Sequence, residues 1–182
     1  IRFHKGDLPN LENYYDTVAV DTETLGLNPH RDRLCVVQLS AGDGTADVVQ
    51  IAKGQTEAPN LKKLLEDEAR TIIFHFARFD VAVLLNALGI DIKTVYCTKI
   101  ASRLTRTYTD RHGLKDLVKE LINVDISKQQ QSSDWAADTL SNAQLEYAAS
   151  DVLYLHELRA HLDKKLEREG RTDIAKECFK FL

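Results

Sequence analysis

Four carboxylates and one phenol stand out by their spacing. Asp21 and Glu23 lie two apart at the end of an apolar run, Thr17-Val-Ala-Val-Asp-Thr. In a strand, residues two apart share a face, so both carboxylates point the same way. Two such groups side by side repel, and a divalent cation is their natural compensator. The pair alone is a weak signal. With 28 acidic residues in 182, about four acidic-x-acidic pairs arise by chance. Its place directly after Val18-Ala-Val sets it at the edge of a core and not on a polar loop. Asp80 follows a second apolar run, at or near a helix start, where an N-cap is the plain alternative. Tyr147 and Asp151 stand at i, i+4 in a helical stretch and share a face. The plain alternative there is a half-buried Tyr beside a surface Asp.

These residues need a scaffold. Thr17 to Thr22, Leu34 to Leu39 and Ala46 to Ile51 read as strands, with Ala41-Gly-Asp-Gly-Thr as a hairpin-type turn. Asn60 to Glu68 reads as a short helix and Thr71 to Phe76 as a strand. Phe79 to Leu88 has helical spacing and stops at Gly89. A short strand is expected over Ile92 to Tyr96. Helices are then expected over Thr98 to Leu104, Leu114 to Ile122, Ser141 to Leu166 and from Arg171 onward. Ser141-Asn-Ala-Gln can cap the long one. The order predicts an α/β fold with a mixed central sheet flanked by helices and a helical C-terminal half. One strand returns by a hairpin and must be antiparallel to its neighbours.

Composition narrows the function classes. The chain is 43 % hydrophobic and 29 % charged, which fits neither a disordered nor a membrane-embedded chain. Its net charge, 24 − 28 = −4, argues against a protein that coats long nucleic acid through a broad basic face. It permits a short nucleic-acid substrate with few phosphates. Cys35, Cys97 and Cys178 are widely spaced, with no zinc-ligand spacing, which predicts reduced thiols in the cytoplasm. No signal peptide and no membrane-spanning run is expected. No methionine occurs, so the initiator, with a few more residues, is expected to lie outside the sequence.

In chain order, Val20-Asp-Thr-Glu-Thr-Leu-Gly-Leu27, His75-Phe-Ala-Arg-Phe-Asp80 and Tyr147-Ala-Ala-Ser-Asp151 resemble the three motifs of the DEDD 3′→5′ exonuclease superfamily, in its tyrosine subclass. The histidine subclass carries its base five residues before the last Asp, and position 146 here is Glu. Lys128-Gln-Gln-Gln-Ser-Ser-Asp-Trp135 and Gln144 to Leu155 resemble ribonuclease D. The resemblance covers about residues 15 to 162. The wording HFARFD and KQQQSSDW is most similar to the NanoRNase C family, stand-alone catalytic domains that act on very short RNAs.

That resemblance implies a ribonuclease H-like fold and one exonuclease domain over residues 1–182, with a core at about 15–162 and a helical tail at 163–182. It implies two divalent ions, Mg²⁺ or Mn²⁺, which suit four hard carboxylate ligands. Asp21, Glu23 and Asp151 would hold the ion that acidifies the attacking water. Asp21 would share the second ion, and Asp80 would act on it largely through bound water. Tyr147 would orient the water, since a neutral phenol is a poor base near pH 7. Short single-stranded RNA, down to dinucleotides, would be cut to nucleoside 5′-monophosphates. The family further implies a homo-oligomer, an octamer, and no membrane partner.

Candidate substrate contacts are Thr24, Leu27, His75, Phe79, Lys128 and Trp135. Leu27 stands where the family places an apolar wedge; a loop Leu packed on the core is the alternative. His75 could touch substrate or be packed at a strand end. Trp135 could stack on a base or anchor the long helix. Arg103, Arg106, Arg111, His112, Lys115 and Lys128 form the main cationic concentration, for phosphate grip or a solvated face. Phe76 stands where some relatives have Asn. Two other readings stay open: an exonuclease for longer RNA or DNA, and a metal-free scaffold that only binds nucleic acid.

Overall fold

A computed structural model describes residues 1–182. Thirteen elements follow in chain order: β1 (Arg2–Lys5), β2 (Thr17–Thr24), β3 (Leu34–Ser40), β4 (Asp47–Gln50), α1 (Pro59–Leu65), β5 (Thr71–Phe74), α2 (Ala77–Leu88), β6 (Val95–Cys97), α3 (Thr98–Thr105), α4 (Leu114–Ile122), α5 (Asn142–Leu153), α6 (Leu155–Arg168) and α7 (Thr172–Phe181). The six strands form one sheet in the order β1-β4-β3-β2-β5-β6. β3 runs antiparallel to both β2 and β4, and the remaining pairs are parallel. This is the mixed sheet with one reversed strand that the hairpin requires.

The sheet separates two apolar layers. Val18 and Val20 of β2, Val37 and Leu39 of β3, and Ile72 and Phe74 of β5 pack on α1 and α2. Ala19, Ile73 and Tyr96 pack on the other side against α3, α4, α5, α6 and α7. A smaller cluster joins Cys35, Val36 and Val48 to Trp135, Leu140 and Ala148. Alternation along β2 therefore sends Asp21 and Glu23 to the α5 side and Thr22 to the α2 side. No helix is long and apolar enough to cross a membrane.

The structure departs from the sequence expectations at four places. β1 was not expected, because Arg-Phe-His-Lys shows little apolar patterning. It pairs with β4 at the sheet edge. Buried Asp47 accepts bonds there from Arg2 Nε (2.8 Å), His4 Nε2 (2.8 Å) and the Tyr14 hydroxyl. Second, β5 ends at Phe74, and α2 starts at Ala77 after a left-handed residue, Phe76. Third, β6 covers Val95–Cys97 instead of Ile92 to Tyr96, in parallel register with β5. Fourth, the long helix from Ser141 breaks at Tyr154 (φ −109°, ψ −2°) into α5 and α6. No Pro or Gly marks that break. The two halves bury different surfaces: α5 covers β2, β3 and β4, while α6 leans on α3, α4 and β5. Tertiary packing decides the break.

Candidate active site

β2 delivers Asp21 and Glu23 at its C-terminal end, beside a register shift between Glu23 and Thr24. Ligands of open α/β sheets sit at strand C-terminal ends. α5 delivers Tyr147 and Asp151 onto the same side. Its start is fixed by a capping box: Ser141 Oγ accepts from Gln144 N (3.1 Å), and Gln144 Oε1 accepts from Ser141 N (2.9 Å). Gln144 Nε2 also donates to Ser133 Oγ and the Asp134 carbonyl, both at 3.1 Å, which ties the 128–135 segment to the helix.

Asp21, Glu23 and Asp151 each bring an oxygen within 4.8 Å of the others. Asp80 arrives from the opposite layer, in the first turn of α2, so it is not an N-cap. It is buried, and its Oδ1 accepts from Thr22 Oγ1 at 2.5 Å. Thr22 thus links the end of β2 to α2. Asp21, Glu23 and Asp151 converge across 130 residues of chain, with Asp80 joined to β2 through Thr22.

Their electrostatics follow from that crowding. Burial, offset in part by hydrogen bonds, pushes Asp21 up to about 6. Burial and the neighbouring Asp21 charge push Glu23 up to about 9. Burial and the charges of Asp21 and Glu23 hold Asp80 and Asp151 well above the carboxylate range. Like charges gathered out of water favour protons, or a cation in their place. Burial also raises the Tyr147 phenol far above its usual value, with the Asp151 charge adding to it, so the hydroxyl stays neutral.

Gln38 was missed in the sequence. It is fully buried in β3, directly opposite Asp21. Its Nε2 donates to Glu23 Oε1 (3.2 Å) and lies 3.5 Å from Asp21 Oδ2, while its Oε1 is buried without a partner. A lone amide in the apolar run Leu-Cys-Val-Val-Gln-Leu was the available signal. The hard-oxygen donor set, the crowding and this unpartnered oxygen fit a divalent cation centre.

A cavity of about 790 Å³ opens over these groups. Its lining draws on the end of β2 and the loop after it (Thr24, Leu25, Leu27), on the start of α2 and on α3 (His75, Phe76, Phe79, Lys99), and on Lys115, Lys128 and Gln131 further along the chain. Leu27 is 85 % exposed, so it does not pack on the core. Its loop is tied by its own hydrogen bonds. Asn28 N and Arg31 Nε donate to Asp32 at 3.0 and 2.9 Å, and a Cβ on Gly26 would lie 2.3 Å from Asp32 Oδ2. Thr24 Oγ1 closes the loop onto the Gly26 carbonyl at 2.5 Å. His75 Nδ1 is 2.9 Å from Thr98 Oγ1. Burial and nearby Lys99 depress His75 to about 3, so it is neutral.

Two readings of the cationic and aromatic residues need correction. Trp135 lines the cavity but is only 2 % exposed, which leaves no free face for a base. Its ring packs 5.9 Å from the Tyr147 ring, and Nε1 donates to the Gln131 carbonyl at 3.3 Å. It backs the phenol. Arg106 is buried and committed to Glu120, Ser102 Oγ (2.9 Å) and the Arg111 carbonyl (2.7 Å), so it is structural. Of the expected cationic group, Lys115 and Lys128 reach the cavity, and Lys99 joins them.

The chain is similar to known proteins in sequence and in fold. The 3′-5′ exonuclease family profile matches residues 7–167. Ribonuclease D of Gluconacetobacter diazotrophicus is 36 % identical over 156 residues, covering 86 % of this chain and 39 % of that protein. The chain therefore spans about two fifths of the length of that relative. The structure of Brucella melitensis NrnC with bound Mg²⁺ superposes at TM-score 0.96 with 68 % identity, over 99 % of this chain and 88 % of that one. The NrnC structure bound to pGG superposes at 0.97 with 70 % identity and the same coverage. Escherichia coli RNase D superposes at 0.79 with 29 % identity, over 90 % of this chain and 43 % of that one.

Proposed function

This chain belongs to the 3′-5′ exonuclease family, and we propose that it is a metal-dependent exoribonuclease that shortens very short single-stranded RNAs, down to dinucleotides, from the 3′ end. The observation that carries this is the meeting of Asp21, Glu23 and Asp151 within 4.8 Å beside Tyr147, with Asp80 joined through Thr22. Similarity to an NrnC structure bound to pGG supports the dinucleotide. So does a net charge of −4, which suits a substrate carrying only one or two phosphates.

Asp21, Glu23 and Asp151 would hold one divalent ion, Mg²⁺ or Mn²⁺, and Asp21 with Asp80 a second. Bound there, two ions supply acidification of the attacking water and charge neutralisation at the departing 3′ oxygen. Gln38 holds the Asp21 and Glu23 carboxylates in place from the neighbouring strand. Tyr147, neutral and braced by Trp135, orients the water with its hydroxyl. Leu27 wedges against the terminal base, and Lys128 faces the phosphate backbone. Hydrolysis yields a nucleoside 5′-monophosphate.

Residues 1–182 work as one exonuclease domain in this proposal. It acts in the cytoplasm, which suits the three unpaired cysteines. It assembles as a homo-oligomer, an octamer; exposed Ile174 and Phe181 on α7 offer apolar surface for that. Light scattering that reports a monomer would remove the assembly. The activity is tested with 5′-labelled RNAs of two to ten residues in Mg²⁺ or Mn²⁺. Stepwise 3′ shortening, fastest for the shortest, is expected. No nucleotide release would refute the reading, and equal rates on matched DNA would favour the general exonuclease.

A further inference from the structure

Phe76 breaks two local rules at once. It is the residue before the first turn of α2, where Ser, Thr, Asp or Asn would cap the helix, and its side chain caps nothing. Its backbone is left-handed, φ 69° and ψ 54°. The one other non-glycine residue with positive φ is Asn123, which ends α4. Asn tolerates that conformation and is ordinary there. An aromatic residue is not, and such strain collects at functional sites.

The ring has a definite setting. It is 46 % exposed and lines the same cavity as the carboxylates. Lys99 Nζ lies 4.3 Å from its centroid, a cation–π contact that occupies one face and steadies the ring. Burial cannot explain a half-exposed phenyl, and capping cannot explain a side chain without a polar atom. The left-handed backbone sets this ring at the cavity wall, with a flat apolar face beside the place where a nucleotide would lie.

From this geometry we infer that Phe76, backed by Lys99, is a stacking platform for one base of the substrate, in the cavity that Leu27 also lines. This rests on the exonuclease reading and adds a positioning residue to it. Any base offers a π-face, so the platform favours nucleotides without selecting a sequence, with purines gaining more overlap than pyrimidines.

The experiment compares wild type with Phe76→Leu, Phe76→Tyr and Phe76→Asn. Substrates are the 5′-phosphorylated GG dinucleotide and two analogues, each lacking the base at one position. Leu keeps an apolar side chain but removes the aromatic face, and Tyr keeps that face. Phe76→Leu is expected to raise KM for GG by roughly 5- to 150-fold with kcat unchanged, and Phe76→Tyr to keep the wild-type value. On one abasic analogue, wild type and Phe76→Leu become equal; on the other, they still differ. Phe76→Asn should melt no lower than wild type, since Asn suits the left-handed backbone, yet bind GG as weakly as the Leu variant. A Phe76→Leu enzyme with the wild-type KM overturns the inference whatever its melting temperature. So does a KM rise of equal size on all three substrates. In either case wild-type hydrolysis of GG still supports the exonuclease reading, whereas no hydrolysis by wild type removes both.

Discussion

The Thr22 hydroxyl donates to Asp80 Oδ1 at 2.5 Å, and this one bond joins the end of β2 to the first turn of α2. It ties a carboxylate of the α2 layer to the strand that carries Asp21 and Glu23. Thr22→Val keeps the branched shape that suits a strand but removes the donor. We expect a 10- to 100-fold loss of kcat, roughly the effect of losing a partner that orients a metal ligand. Melting should fall by only a few degrees. A variant with full activity would show that Asp80 needs no such support.

The carboxylate cluster makes the metal-free protein sensitive to alkali. Asp21 at about 6 and Glu23 at about 9 both lie above their unfolded values. The folded state therefore holds more protons than the unfolded state between about pH 4 and pH 9. Stability is fully present below about pH 4 and declines as pH rises through that window. With EDTA, the melting temperature should drop steadily from pH 5 to pH 9. Mn²⁺ should restore more stability at pH 9 than at pH 5, because cations replace protons. Glu23→Gln should flatten the EDTA profile. A profile that rises with pH would contradict the crowding.

Tyr147 is assigned to orientation, and its pH behaviour separates that from base catalysis. Burial keeps the phenol neutral throughout the working range. Tyr147→Phe should lower kcat about 100-fold, the scale of a misplaced nucleophile, while the shape of the pH–rate profile stays that of wild type. Loss in the variant of a rise in rate with pH that wild type shows would make Tyr147 a base after all.

Leu27 is almost wholly exposed on a loop tied by Asp32. Leu27→Ala should leave the melting temperature within about 1 °C, since little apolar area leaves the core. It should raise KM for a dinucleotide several-fold. Unchanged kinetics would reduce Leu27 to an exposed loop residue.

Much of this was legible in the sequence because it depends on period. Alternation along β2 set Asp21 and Glu23 on one side, and i, i+4 spacing set Tyr147 with Asp151. The hairpin at Ala41 to Thr45 dictated the reversed β3. What stayed hidden depends on partners far away in the chain. Gln38 gains meaning only from its cross-strand register with Asp21. Trp135 reads as a base-stacking residue or as an anchor for the long helix until the fold buries it against Tyr147. The break at Tyr154 comes from two packing surfaces, and β1 from a polar network around Asp47. Phe76 hid for another reason: a left-handed phenylalanine is a choice that local propensity opposes.

We propose that Asp21, Glu23, Asp80 and Asp151 form a cation centre. Calorimetric titration of Mn²⁺ into the protein at pH 7, in two buffers of different ionisation enthalpy, addresses it directly. We expect binding coupled to proton release, because Glu23 carries a proton until the ion arrives. Asp151→Asn should weaken binding at least 100-fold. No Mn²⁺ uptake by the wild type, or undiminished uptake by Asp151→Asn, would contradict the account.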